Sequence, residues 1–94
     1  MLTDVSTVPS EATILSRVIQ PEHGTWSKEA AESILRLDFP PADVERMNVL
    51  AAKARQGSLS ELESAELENY RDAGRLLELL QSKARRSLQI SKAA

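Results

Sequence analysis

The sequence predicts an all-α fold: a small bundle of about four helices, closing with a helical hairpin whose last member is long. Three observations predict it. The composition is 41% hydrophobic, 28% charged and only 3% aromatic, which suits a helical domain with a thin aliphatic core. Apolar residues recur at helical spacing along most of the chain. Ser, Pro and Gly stand where helices start and stop. With 94 residues the chain is expected to build one domain over residues 10–94, after a flexible arm over residues 1–9.

Ser10 is expected to cap a first helix over residues 10–20, in which Ile14, Leu15, Val18 and Ile19 share a face and which Pro21 stops. The run "TILSRVI" is also rich in β-branched residues, so a strand over residues 13–19 is the alternative. "PEHGTW" reads as a loop. Ser27 then caps a second helix with Ala30, Ala31, Ile34, Leu35 and Leu37 as its apolar side, ending before "DFPP". Trp26 and Phe39, at its two ends, read as core anchors.

Pro41 suits the first position of a third helix, with Asp43 and Glu45 at its positive end and Lys53 and Arg55 at its negative end. Gly57 is placed to end it in the left-handed conformation. Ser60 and Glu63 form a capping box for the fourth helix, expected over residues 60–90. At about 45 Å this helix is longer than a compact globule of about 32 Å. Leu62, Tyr70, Ala73, Leu76, Leu77, Leu80, Ala84 and Leu88 fall in one band and are its expected core face, with the third helix as nearest partner. Gly74 lies mid-helix, where it costs about 1 kcal/mol relative to Ala; close approach of another backbone is one explanation and drift at an exposed site the other.

Several function classes lose their chemistry here. There is no Cys, hence no disulfide and no thiolate site, which suits a reducing cytoplasm. The N-terminus lacks the basic and apolar regions of a signal peptide, and no run is long enough to span a membrane. His23, the single histidine, sits in a loop without a sequence partner, and no phosphate-binding loop or calcium loop is present. The expectation is a cytoplasmic protein that is not an enzyme and holds no metal or cofactor.

The chain is acidic overall, yet residues 83–94 carry Lys83, Arg85, Arg86 and Lys92 and no acidic residue. Cations at a helix C-terminus complement the dipole, which is the plainest explanation. Direct nucleic-acid binding is disfavoured, because these cations form two short lines and no aromatic residue interleaves them. Leu67, Gly74, Leu79, Lys83, Arg85, Arg86 and Ile90 lie outside the core band or at the free end, and these are the expected partner-binding residues. A nucleic-acid-binding regulator and a homodimer formed through the last helix are the alternatives.

"FPPADVERMNVLAAKARQGSL" and "YRDAGRLLELLQSKARRSL", within residues 30–88, carry a pattern that resembles a widespread set of small, mostly uncharacterised bacterial proteins. The shared features are an Ala-rich helix, "F..AD..RM..LA.KA..G.L", a Glu-rich helix start and "Y...G.LL.LLQSKAR.SL". Pro40 departs from the pattern, where a capping Ser or Thr is expected, and Asn69 and Asp72 stand at variable positions. Members of the set are associated with a gene for an HNH-family nuclease. The resemblance therefore implies an antitoxin-like or accessory protein that binds and occludes such a nuclease, and it carries over no functional residues.

Overall fold

The computed structural model describes residues 8–93, with side chains described as far as Ile90. Four α-helices make up the fold: α1, Glu11–Ile19; α2, Lys28–Leu35; α3, Pro41–Gln56; and α4, Glu61–Ala93. No strand occurs among the described residues. The first seven positions of the expected arm lie outside them, and Val8 and Pro9 are exposed.

The helix starts follow from short polar side chains that accept from otherwise unpartnered backbone N–H groups. Ser10 Oγ accepts from Thr13 N–H at 3.1 Å, and Ser27 Oγ from Ala30 N–H at 3.2 Å. The first cap and the packing of α1 on α4 select helix over strand for "TILSRVI", despite its β-branched residues. The capping box is reciprocal: Ser60 N–H donates to Glu63 Oε1 at 3.0 Å, and Glu63 N–H to Ser60 Oγ at 3.1 Å. Pro40 occupies the cap of α3 and makes no side-chain bond there, while Pro41 holds the first turn.

Two helix ends use the left-handed region. Gly57 ends α3 at φ 67°. Gln20 ends α1 at φ 52°, with its N–H on Ser16 O at 2.9 Å. Pro21 follows, so the chain turns away before another helical residue can be added.

α1, α2 and α3 each pack on α4 and not on one another. The molecule is accordingly flat, 51 × 43 × 16 Å, with a radius of gyration of 16.8 Å, against about 12 Å for a compact chain of this length. α4 sets the long dimension, since 33 residues span about 50 Å.

One expectation is corrected: α2, not α3, is the most extensive partner of α4. α2 and α4 each bury an alanine completely, Ala31 and Ala84, and small residues let helix axes approach. α3 instead reaches α4 with the long side chains of Arg46 and Lys53.

With no second layer to close over α4, the core is small. Among the described residues the buried apolar side chains are Ala12, Ala31, Leu50, Leu67 and Ala84, and Leu50 is the largest at 0% exposure. Trp26 and Phe39 are half-buried at the seams, and the Phe39 ring meets Tyr70 edge-on at 6.4 Å. The expected core face of α4 is corrected at its first end: Leu62 is 84% exposed and Ala73 is exposed, whereas Leu67, expected outside the core, is buried. α3 causes the switch, because its polar anchors are Glu63, Glu66 and Tyr70, the neighbours of Leu67 on α4.

Candidate protein-binding surface

Leu79, Lys83, Arg86 and Ile90 do fall on one stripe of α4, as their spacing requires, but that stripe is not free. α1 and the loop after it lie along it. Leu79 lines a cleft with Ala12, Thr13 and Ser16 of α1. Lys83 is only 7% exposed; its Nζ donates to the Ile19 carbonyl at 2.6 Å and stands 5.1 Å from the centre of the Trp26 ring. The loop rests on the backbone of Arg86 and on the Ile90 side chain at Gly24.

The expected partner-binding set therefore separates. Lys83 serves the fold, bonding an end carbonyl of α1 that has no partner within its own helix. Leu67 is buried. A Cβ at Gly74 would meet nothing within 4 Å, so no backbone among the described residues approaches it. Arg85 is exposed and paired with Glu78 at 2.6 Å. Arg86 and Ile90 keep exposed side chains, but beside the chain's own loop.

α2 is finished in the same way as α1. Gln81 Nε2 donates to Leu37 O at 2.8 Å and to Ile34 O at 3.3 Å. Ser87, 2% exposed, accepts the Trp26 N–H at 3.1 Å and donates to Lys83 O at 2.8 Å. A signal for this existed in the sequence: α2 has no basic residue in its last turn and no following Gly, so its carbonyls need donors from elsewhere.

The surface that sequence reasoning missed runs along the first half of α4, between α1 and α3. Two adjoining hollows share Asn69 and Ala73 as floor. One, of about 250 Å³, is walled by Ala12 and Leu15 of α1 and by Leu76. The other, of about 290 Å³, is walled by Phe39 and Tyr70. Leu62, Asn69, Ala73 and Leu76 lie within about 60° of one another around the helix, so Leu62 continues the line of this groove. On α1, Leu15 is 37% exposed and Val18, one turn on, 73%. The polar residues that line the hollows are Glu11, Asp43, Glu66, Asn69 and Asp72; no Lys or Arg lines either.

The ion pairs behind this groove hold α3 to α4. Arg46 donates to both Glu66 oxygens, at 2.9 and 2.8 Å, and Lys53 donates to Glu63 at 2.5 Å. The Lys53 ammonium and the Ser60 N–H hold the Glu63 carboxyl well below its ordinary 4.5, at about 2. The Arg46 guanidinium lowers Glu66, and the hydrogen bond to Asp43, 2.8 Å long, raises the Tyr70 hydroxyl.

Glu63 therefore binds a proton more weakly folded than unfolded, and its contribution to stability is whole above pH 4.5 and lost as the pH falls towards about 2. The urea midpoint should fall across that interval, and Glu63→Gln should flatten the fall. A Glu63→Gln protein as acid-sensitive as the parent would place the sensitivity elsewhere.

His23 is 58% exposed beside Glu22, and among the described residues no group of three or more His, Cys, Asp or Glu could hold a metal ion. No helix among them is long and apolar enough to cross a membrane. Ala12, Leu15, Ala73, Leu76 and Phe39 give the hollows an apolar lining beside Asn69, with carboxylates at the edges, and apolar area within a polar rim is the usual anatomy of a protein-binding surface. No protein-family model matches the chain, and no curated protein or solved structure matches it.

Proposed function

We propose that this chain is a non-catalytic protein-binding module, acting in the cytoplasm as an antitoxin-like or accessory subunit that binds and occludes a nuclease. The nuclease comes from the family resemblance, and the site from the geometry. One observation carries the site: the groove between α1 and α3 leaves Leu15 exposed beside a floor on α4 that two hollows share, with Val18 and Leu62 exposed further along the same two helices. Exposed apolar side chains grouped along one groove mark a docking surface more often than scattered ones do. Occlusion is stoichiometric: one copy covers one partner surface, and no bond is made or broken.

The groove takes over the role expected of the basic end of α4. Lys83 is committed to α1 and Arg85 to Glu78, which reduces the cations a nucleic acid could recruit. The test is photo-crosslinking in the source cells, with a benzophenone side chain at position 15, 73 or 82. The expected result is a 1:1 adduct with a nuclease from positions 15 and 73 and none from Ser82, on the polar side of α4. The purified protein should then inhibit that nuclease at equimolar ratio. Absence of any adduct from positions 15 and 73 would overturn the reading.

A further inference from the structure

We infer that the occupant of this groove is a basic amphipathic helix of the partner, about three turns of which lie in it. The inference rests on the docking reading above and adds the shape and the charge of what docks.

Shape comes first. From Glu66 to Leu76 the two hollows run about 15 Å along α4, the length of about 10 helical residues. Apart from Phe39, in the loop before α3, every wall is helical, and the backbone of α4 is bonded within its own helix, so an extended segment would find no ladder of N–H and C=O groups along the floor. A helix needs only side chains in the groove: an apolar row at i, i+3 or i+4, and i+7 facing Leu15, Ala73 and Leu76.

Charge decides between a partner and a second copy. Besides the Tyr70 hydroxyl, the ionisable groups that line the hollows are four carboxyls: Glu11 and Asp72 on one side, Asp43 and Glu66 on the other. Asp72 and Glu66 have cation partners, Arg75 at 2.6 Å and Arg46 at 2.8 Å. Glu11 and Asp43 have no ion pair among the described residues; Asp43 accepts only the neutral Tyr70 hydroxyl. In a two-fold dimer the same patch faces itself, so this rim would meet its own carboxylates. Like charges across an interface oppose binding, and cations flanking an apolar row complement it.

The experiment uses the full chain and two fluorescein-labelled helical 18-mers. Both carry the same leucine row, flanked by Lys in one and by Glu in the other. Fluorescence anisotropy at near-physiological salt should show the Lys peptide binding about tenfold or more tighter than the Glu peptide. Ala73→Arg, which fills the floor and adds a cation, should weaken it about tenfold, whereas Ser82→Arg, the same charge on the polar side of α4, should not. Both positions are exposed or half-exposed, and circular dichroism checks that each variant folds.

Equal affinity for the two peptides, or equal effects of the two substitutions, would overturn the charge assignment. A concentration-dependent mass abolished by Ala73→Arg would overturn it in favour of a second copy. Crosslinking from positions 15 and 73 reads the docking surface independently, so an intact crosslink beside a failed peptide titration would reject only the basic helix.

Discussion

Leu50→Ala will cost about 3 kcal/mol of folding stability, which for a domain of this size lowers the melting temperature by about 15 °C. Leu50 is the one large apolar side chain with 0% exposure among the described residues. α3 is also the helix least extensively packed on α4. Its other main attachments are ion pairs at half-exposed positions, Arg46 with Glu66 and Lys53 with Glu63, and such pairs contribute little in water. Truncation leaves a cavity where α3 has its deepest contact. Leu50→Met, which nearly conserves volume, should cost less than about 1.5 kcal/mol. Thermal melts by circular dichroism check both, and a loss below about 1 kcal/mol for Leu50→Ala would show that other contacts hold α3.

Gly24→Ala is the second large effect. A Cβ there would lie 2.7 Å from the Arg86 carbonyl carbon, 2.8 Å from its oxygen and 2.8 Å from Ile90 Cδ1. The isoleucine tip can turn aside, but the backbone of α4 cannot. The loop must therefore lift, which draws the Trp26 N–H from Ser87 and the Trp26 ring from Lys83. Overpacking and the lost hydrogen bond together should cost about 2 to 4 kcal/mol, with a red-shifted Trp26 emission. Gly74→Ala is the control, since its Cβ meets nothing; it should stabilise α4 by about 1 kcal/mol. Unchanged stability and emission in Gly24→Ala would mean that the loop does not rest on α4.

The contrast between these glycines shows what the sequence discloses. Caps and breakers act over three or four residues, so Ser10, Ser27, Pro41, Gly57 and the Ser60–Glu63 box could be read directly. Gly24 looks like any loop glycine until residue 86 is brought beside it. Lys83 likewise looks like a free cation on a helix end until Ile19, distant in sequence, offers a carbonyl.

The groove was illegible for a related reason. Leu62 shares its azimuth with Leu80 and Leu76, and periodicity alone assigns all three to one buried band. Whether that band is covered depends on the flank that α3 takes, and α3 meets α4 where Arg46 and Lys53 reach Glu66 and Glu63, the side on which Leu67 is buried. The second half of the band lies under α2, while the first half stays open as the groove floor. No single helix carries the pattern of a site that three helices build together.

The donors that finish α1 and α2 have a consequence for biosynthesis. Lys83 and Gln81, like Ser87, which accepts the Trp26 N–H, leave the ribosome after the residues they serve, and short helices are marginal in water without tertiary support. During synthesis α1 and α2 exist only as fluctuating turns until the second half of α4 has emerged. The nascent chain thus acquires its N-terminal half last, through contacts more than forty residues apart, and such long-range closure is slow compared with local helix formation. Until then the α4 stripe that α1 will cover is open, and a chaperone or a misdirected copy can reach Leu79 and Ile90 during that interval.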